Sequence, residues 1–388
     1  MKQFLSTPKK THYGGDYAVV RPFAKDQVLP AALTAVLVAA AVALILLFGT
    51  SRVTTPAAVS DDPAKTETVT KVEATKVDKD GNVVVPSNTK DYDVDSTVII
   101  QGDRAMEIFT ASRKWLTRYG EDINAFATRS PSTNVYVLLA PTSVEFYGPD
   151  DFKTKNQSFE TAIEYAYAPL TAGNVRTVDS RNAIARHVDE YIYLRTDHHW
   201  NGRGAYYAYT AFCKAADLTA PKLSSYESGS VEGFVGSLYA QTQEEVLKKH
   251  PDTVTYYFPH TASTGEAFET AALTNPRSVK VVQPKVPAEY AYLCFIEGDN
   301  PIERFTTENK NGKSILMVKE SYGNAFAPFL TDNYEEVWVV DPRKVDLDLV
   351  SFVRENHIDD VLFLNYAFAP SNPTYRNAFE KMLGVSAS

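Results

Sequence analysis

Two segments of the sequence carry residue types that could perform nucleophilic chemistry. The first, Tyr193–Tyr207, places Asp197, His198 and His199 in a tight turn between a predicted strand and a predicted helix. A histidine can act as a general base when a neighbouring carboxylate orients its ring, and Asp197 stands two residues before His199. Ligands of doubly wound sheets bind where strands end, so this turn is well placed for chemistry.

Three functions remain open for this turn. His199 could be a general base oriented by Asp197. Asp197, His198 and His199 could instead bind zinc or iron, because carboxylate and imidazole groups suit these metals. The turn could also be a polar helix cap packed over Trp200. We favour the general base, and we expect His198 to point to the opposite side of the backbone, where it would serve structure or acceptor binding.

The second segment, Ser314–Phe326, is predicted to form a strand, a sharp turn and a helix, with Ser321 at the turn. Backbone N–H groups at such a helix N-terminus can stabilise a developing oxyanion. A serine at this position is more often only a helix cap, and Ser143 after the apolar run Val135–Leu139 is a rival of the same type. The pairing of Ser321 with an Asp-x-His turn favours Ser321 as the nucleophile.

The elements that must position these segments are short apolar runs that alternate with amphipathic stretches. This alternation predicts one α/β domain over residues 98–388, a doubly wound and mainly parallel sheet covered by helices on both faces. The predicted strands are Val98–Ile100, Val135–Leu139, Tyr191–Leu194, Ser314–Val318, Val337–Val340 and Val361–Leu364. The predicted helices are Arg104–Tyr119, Phe159–Tyr167, Gly204–Ala215 and Asn324–Leu330, with Asp179 capping a further short helix. The tract between Pro221 and Asn311 is the least regular, and it could be a substrate-facing excursion or a long loop with a local hairpin.

Composition restricts the class of protein. The 388 residues carry 39 Lys+Arg and 48 Asp+Glu, a net charge of −9, which argues against a nucleic-acid partner. The two cysteines, Cys213 and Cys294, cannot form a disulfide framework, and no Cys-x-x-Cys pair is present to bind zinc. Both are predicted to be buried thiols, although an extracellular location would permit a bridge between them.

The first hundred residues predict a membrane anchor. Residues 1–30 form a basic tail, since the first 28 carry five Lys/Arg against two Asp, a net of +3. Residues 31–49 are uncharged and, at about 1.5 Å per helical residue, long enough to cross a hydrocarbon core of about 30 Å. The basic flank places the N-terminus in the cytoplasm. A cleaved signal peptide is the competing interpretation, but its apolar region would be shorter and no Ala-x-Ala site follows Gly49.

Residues 50–97 contain no Leu, Ile, Met, Phe or Trp. Such a segment cannot bury enough apolar surface to offset the entropy of ordering it, so it is predicted to be a flexible extracellular stalk. The domain at 98–388 is then expected outside the cell.

The turn Thr196–Asn201, followed by Gly204 and Ala205, resembles the signature of the DHHW proteins. These are membrane-anchored or secreted relatives of the SGNH hydrolase-like proteins of polysaccharide O-acetylation. The alginate acetylation proteins have a similar Asp-x-His-Trp turn upstream of a serine-bearing turn. The resemblance covers most of residues 96–388, including Gly102–Arg104, Glu190–Tyr193 and Lys319–Asn324, although the serine segment lacks the common Gly-Asp-Ser sequence.

The resemblance implies an SGNH-like fold with a circularly permuted order of motifs, because the Asp/His pair precedes the serine as in the alginate-type branch. It implies a catalytic triad of Asp197, His199 and Ser321. Asn365, at the end of the second strand after Ser321, would donate its amide N–H to the oxyanion; the alternative is a strand-end Asn that satisfies a turn. Further predicted oxyanion-binding or substrate-binding residues are Gly323, Asn324, His198 and Arg104.

The resemblance also implies an activity. It is the transfer or removal of an acyl group, expected to be acetyl, on a cell-surface polysaccharide, without a metal or other cofactor. Such proteins often work beside a membrane-bound O-acyltransferase. Two alternatives stay open: a catalytically inactive glycan-binding or scaffolding partner of that acyltransferase, and a metal-dependent hydrolase.

Overall fold

A computed structural model describes residues 76–154 and 157–385 of the chain. The predicted tail at 1–30, the predicted span at 31–49 and residues 50–75 of the predicted stalk lie outside these described residues. Within the described ranges, no helix combines the length and the apolar character that crossing a membrane requires.

The described chain contains thirteen strands in three sheets. They are β1 Asp93–Asp95, β2 Val98–Gln101, β3 Arg104–Glu107, β4 Asn134–Ala140, β5 Val175–Thr177, β6 Glu227–Phe234, β7 Asp252–Phe258, β8 Ser263–Phe268, β9 Arg277–Val279, β10 Ile302–Thr307, β11 Ser314–Lys319, β12 Glu336–Val340 and β13 Asp360–Tyr366. The helices are α1 Arg113–Arg129, α2 Ser143–Tyr147, α3 Phe159–Tyr167, α4 Ser180–Ala185, α5 Gly202–Ala215, α6 Ser237–Thr242, α7 Glu245–Lys249, α8 Tyr322–Leu330, α9 Leu349–Glu355 and α10 Pro373–Met382.

The central sheet has eight strands in the order β5-β4-β13-β11-β12-β10-β8-β9. The five strands from β5 to β12 are parallel, whereas β10, β8 and β9 join the β12 edge in antiparallel pairing. The prediction of an α/β fold with a mainly parallel sheet is therefore confirmed for the five strands from β5 to β12, whereas the three antiparallel strands at one edge were not predicted. The antiparallel strands come from the tract that was predicted to be irregular, because their apolar residues gain partners only from the finished sheet.

The parallel strands are buried on both faces, as expected for strands covered by helices. On β11, Ile315 and Met317 pack into one core and Leu316 and Val318 into the other. Because of this burial, the four central strands appear in the sequence as continuous apolar runs. The predictions for β4, β11, β12 and β13 are confirmed to within a few residues.

Among the shorter elements, some predictions are confirmed and others are wrong. The helix at Phe159–Tyr167 and the cap by Asp179 are confirmed, since the Asp179 carboxylate accepts the N–H of Asn182 at 3.1 Å. Tyr191–Leu194 is not a strand; Tyr193 makes one isolated bridge to Trp200. The helix predicted from Arg104 begins only at Arg113, because Arg104–Glu107 pairs with β2.

The described end of the predicted stalk, residues 76–97, packs against the domain. Val83 is 1% exposed, its N–H donates to Asn182 Oδ1 at 2.7 Å, and its carbonyl accepts from Arg181 at 2.9 Å. Backbone hydrogen bonds compensate for the low apolar content of this described segment, and the domain boundary at residue 97 stays a prediction. Cys213 and Cys294 are buried free thiols.

A network of buried charges lies beneath the carboxyl end of β11. Lys319 is completely buried and its Nζ is 2.8 Å from Asp299 Oδ1. Arg343 Nη2 lies 2.7 Å from Asp299 and 2.6 Å from Asp341. Burial alone would lower the pKa of Lys319, but Asp299, Asp341 and Glu303 raise it, so the ammonium stays charged.

Glu303 is the member of this network that should make folding pH-dependent. Its Oε1 accepts from Asn300 at 2.9 Å, whereas its buried Oε2 has no hydrogen-bond partner among the described residues. Burial raises the pKa of Glu303 to about 8, against the attraction of Lys319. A carboxyl whose pKa is raised by folding favours the fold fully below its ordinary pKa of 4.5, and this contribution is lost as the pH rises through about 8.

We therefore expect Glu303→Gln to flatten the pH dependence of stability. Between pH 5 and pH 9 the free energy of urea unfolding should fall by about 1–3 kcal/mol more in the native chain than in Glu303→Gln. The matched control is Glu232→Gln on the exposed part of β6, which should follow the native curve. Parallel curves for the native chain and Glu303→Gln would contradict the prediction.

Candidate active site

The turn that carries the predicted base is fixed by Asp252, the first residue of β7. Its carboxylate accepts the N–H of Arg195 at 2.9 Å, the N–H of Thr196 at 2.8 Å and the Thr196 hydroxyl at 2.6 Å. The turn then leads into α5, where Asn201 accepts the N–H of Gly202 at 2.9 Å and caps the helix. The role of Asp252 could not be read from the sequence, because more than fifty residues separate it from the turn.

Asp197 holds the ring of His199 in one orientation. Asp197 Oδ1 is 2.6 Å from His199 Nδ1 and accepts the backbone N–H of the same residue at 3.0 Å. The other oxygen accepts the N–H of Ser237 at 2.8 Å. Burial alone would raise the pKa of Asp197, but His199, His198 and these N–H donors hold it well below its usual range. Because the carboxylate is ionised and accepts from Nδ1, it leaves Nε2 of His199 free to act as a base.

Ser321 lies on the other side of the same ring. Strand β11 ends at Lys319, and Ser321 precedes α8, so its hydroxyl stands at the carboxyl edge of the sheet. His199 Nε2 is 2.7 Å from Ser321 Oγ, across a sequence separation of 122 residues. Both side chains are at least nine-tenths buried. This spacing lies in the range over which a base can remove the proton of a serine hydroxyl.

Two hydrogen bonds, here called the cross-tie, join the turn that carries His199 to the first residue of α8, Tyr322. Trp200 Nε1 donates to the carbonyl of Tyr322 at 3.0 Å, and the Tyr322 hydroxyl donates to the carbonyl of His198 at 2.5 Å. Tyr292, from the 3₁₀ segment Ala288–Cys294, stacks on the His199 ring with centroids 4.0 Å apart. The cross-tie fixes the base and the serine relative to each other, while Tyr292 shields the base from solvent.

Gly236 and Ser237 support the carboxylate from a segment that nothing in the sequence marked as functional. A Cβ built on Gly236 would lie 2.4 Å from Asp197 Oδ2, so a side chain there would collide with the carboxylate. Glycine at this position lets the N–H of Ser237 reach Asp197. The turn Asp197–His199 alone therefore does not define the site.

His198 differs from expectation, because its ring does not turn away from His199. The two ring centroids are 3.9 Å apart, and His198 Nδ1 lies 2.7 Å from the Ser237 hydroxyl. The segment is a turn and not an extended strand, so successive side chains need not alternate between faces. Burial and the neighbouring His199 lower the pKa of His198, which favours a neutral ring. Its predicted part in acceptor binding stays a prediction.

The geometry does not support the predicted oxyanion role of Asn365. Its Oδ1 accepts from the Tyr119 hydroxyl at 2.9 Å, and its Nδ2 donates to the Tyr375 hydroxyl at 2.6 Å. These tyrosines belong to α1 and α10, on the face of β13 that also carries Phe363. The Asn365 amide is therefore used in packing helices against the sheet.

The remaining predicted binding residues have structural contacts. Asn324 Nδ2 donates to Asp299 at 3.0 Å, and Gly323 packs so closely that an added Cβ would lie 2.5 Å from the Lys319 side chain. Arg104 donates to the carbonyl of Leu194 at 3.3 Å and lies over the Tyr147 ring at 4.2 Å. These contacts give the three residues roles in packing and positioning, and their predicted contacts with substrate stay predictions.

The metal alternative is less compatible with these contacts. Asp197, His198 and His199 do offer three ligand atoms within 4.8 Å of one another. Both carboxylate oxygens of Asp197 already accept N–H donors, however, and His199 Nε2 contacts Ser321. A metal ion would have to replace these bonds, so the arrangement fits a relay from carboxylate to imidazole to hydroxyl better than a metal centre. The same contact selects Ser321 over the rival Ser143.

The family model described as DHHW protein matches residues 69–340. The chain belongs to the DHHW family. A solved DHHW family protein from Eubacterium siraeum is 33% identical, with a TM-score of 0.69 over 78% of this chain and 100% of its own. The sequence resemblance to this family is thereby confirmed.

Two further solved structures match the chain at lower identity, and the first of them, with a TM-score above 0.5, shares its fold. Bacillus cereus PatB1, solved with a sulfonyl adduct, is 16% identical, with a TM-score of 0.58 over 74% of this chain and 99% of its own. The O-acetyltransferase domain of Pseudomonas putida AlgJ is 12% identical, with a TM-score of 0.40 over 74% of this chain and 96% of its own. No curated protein matches the chain.

Proposed function

We propose that this DHHW protein moves O-acyl groups of polysaccharide through a covalent intermediate on Ser321, as an acyltransferase or an esterase. The observation that carries the proposal is the unbroken relay in which Asp197 binds Nδ1 of His199 and Ser321 lies 2.7 Å from Nε2. A serine hydroxyl is a poor nucleophile until a neighbouring base takes its proton, and this arrangement supplies that base.

In the first half-reaction, Ser321 Oγ attacks the carbonyl carbon of the acyl donor while its proton moves to His199 Nε2. The π electrons of the carbonyl pass to its oxygen, forming a tetrahedral oxyanion. When this collapses, the bond to the donor alcohol breaks and the alcohol oxygen takes the proton from His199. The products are an acyl-Ser321 ester and a free alcohol, and Asp197 stays ionised throughout to stabilise the imidazolium.

In the second half-reaction, His199 removes a proton from the acceptor hydroxyl, which attacks the acyl-Ser321 carbonyl. Collapse of the second oxyanion breaks the bond to Ser321 Oγ, and His199 returns its proton to Oγ. A sugar hydroxyl as acceptor gives transfer, whereas water gives hydrolysis. Transfer requires a site that holds the sugar and excludes water, and the buried triad with Tyr292 stacked on His199 supports this requirement.

The chemical class of the substrate rests on family likeness. The Asp-His-His-Trp turn at Asp197–Trp200 resembles that of the proteins of polysaccharide O-acetylation, which supports an acetyl group and a glycan. We further propose that residues 31–49 anchor the protein with its domain outside the cell, beside a membrane-bound O-acyltransferase that supplies the acyl group. The uncharged run and its basic flank support this placement.

A sulfonyl fluoride provides the direct test, since it reacts with an activated serine without any knowledge of the glycan. We expect one sulfonyl adduct, located on Ser321 by peptide mass spectrometry, at an unchanged rate after a chelator has been added. His199→Ala should lose the adduct, whereas Ser143→Ala, which removes the rival serine, should keep it.

Two outcomes would contradict the proposal. Labelling that disappears with the chelator and returns with zinc would favour the metal-dependent hydrolase. A folded protein that forms no adduct on Ser321 but binds acetylated glycan would favour the inactive binding partner.

A further inference from the structure

The residue before the serine, Glu320, has a buried carboxyl group that contacts the reaction centre. Its Oε2 accepts the N–H of Tyr322 at 3.1 Å and lies 3.4 Å from Ser321 Oγ. Its Oε1 accepts the N–H of Tyr366 at 3.0 Å, which ties the turn to the end of β13. The residue is only 3% exposed, so solvent screens its charge weakly.

The N–H that Glu320 accepts belongs to the residue directly after the proposed nucleophile. Where a nucleophilic serine stands between a strand and a helix, the N–H of the following residue is suited to stabilise the oxyanion. Here that residue is Tyr322, the first residue of α8. An ionised Glu320 both occupies this donor and places negative charge next to the position where the oxyanion develops.

We propose that Glu320 gates the oxyanion site through its protonation state. This inference rests on the proposed function of Ser321 and deepens it. The ionised carboxylate keeps the Tyr322 N–H and repels the oxyanion. The protonated carboxyl releases that N–H to the substrate oxygen and can donate its own O–H, as other buried carboxylic acids do at oxyanion sites.

The surroundings of Glu320 allow both protonation states near neutral pH. Burial raises its pKa to about 7, and Asp299 acts in the same direction. Arg343 and the N–H groups of Tyr366 and Tyr322 act in the opposite direction. Other ionisable groups whose own pKa values respond to the charge of Glu320 are Glu107, Tyr119, Tyr322, Tyr366 and Tyr375.

The gate predicts an alkaline loss of reactivity at Ser321. We would measure the rate of Ser321 sulfonylation by mass spectrometry from pH 5 to pH 10 in the native chain, Glu320→Gln and Glu303→Gln. With a carboxyl pKa of about 7, the reactive protonated fraction falls roughly 100-fold by pH 9, and the native rate should fall with it. In Glu320→Gln the amide stays neutral, so this alkaline fall should disappear.

Glu303→Gln is the matched control, because Glu303 is also buried with a pKa raised to about 8, while its hydrogen bond among the described residues is to Asn300 and not to Glu320, Ser321 or Tyr322. It should keep the alkaline fall. An unchanged fall in folded Glu320→Gln would overturn the gate while leaving Ser321 as the nucleophile. If Glu320→Gln does not fold, Glu320→Asp replaces it; the shorter side chain withdraws from the Tyr322 N–H, and an undiminished alkaline fall would again overturn the gate. A native protein that forms no adduct on Ser321 at any pH would overturn the proposed function itself.

Discussion

Replacing Ser321 by alanine should lower kcat for acyl transfer from a model acetyl ester by at least about 10⁴-fold. The substitution removes the one oxygen that lies 2.7 Å from His199 Nε2, so the imidazole has no hydroxyl to activate. The fold should survive, because Ser321 makes no cap hydrogen bond for α8 and the cross-tie does not involve its side chain. Steady-state kinetics on the purified domain and its thermal unfolding temperature would check both expectations.

The behaviour of His199→Ala distinguishes one catalytic unit from two independent residues. It should be about as damaging as Ser321→Ala, and the double variant should be little worse than either, because residues that act together are not additive. The matched control is Ser237→Ala, which removes a nearby hydroxyl from His198 but keeps the backbone N–H that binds Asp197. Its kcat should change by less than about tenfold. Independent, multiplying losses for Ser321→Ala and His199→Ala would argue against the relay.

The second large effect is expected for Asp197→Asn, which should lower kcat by about 10³- to 10⁴-fold. The carboxylate accepts three N–H groups, and an amide can offer only one oxygen to them. An amide NH₂ group facing His199 would favour the tautomer with its proton on Nε2. That proton would then point at Ser321, and the ring could no longer act as a base.

The loss in Asp197→Asn must be separated from a general loss of structure. In the Ser321→Ala background the same substitution should cause no further fall in activity, while its effect on the unfolding temperature should equal that seen in the native background. A raised KM with unchanged kcat would instead indicate that Asp197 acts in substrate binding and not on the base.

Much of the parallel half of the fold was predictable, because strands buried on both faces are continuous apolar runs. The antiparallel half was not, since β8 and β9 are short and partly exposed, and their pairing depends on β10 being in place. Arg104 shows the same limitation on a smaller scale. Its stretch has helical spacing, yet it forms β3 because β2 offers a partner. Pairing across the chain outweighs local preference in these cases.

Site residues could be predicted where their type and their place at a turn or strand end mark them in the sequence. They could not be predicted where a contact depends on which face of a strand a side chain occupies. Asp197, His199 and Ser321 stand out as residue types at a turn and at a strand end. The partners of Asn365 depend on the face it occupies, because Val361, Phe363 and Asn365 alternate onto one face of β13 and this face carries the helices α1 and α10. Glu320 could not be singled out from the sequence, since the contacts of its carboxyl group with Ser321 and with the N–H groups of Tyr322 and Tyr366 form only in the fold.

The cross-tie has a consequence for when this protein becomes chemically competent during its synthesis. A ribosome makes the Asp-His turn first and reaches Ser321 only 122 residues after His199. At roughly 5–20 residues per second, synthesis of these 122 residues takes about 6–24 seconds. During this time the turn lacks both its nucleophile and the Tyr322 partner of Trp200. Under the proposed function, a nascent chain could consume no acyl donor until β11 has been inserted into the sheet and Ser321 lies beside His199.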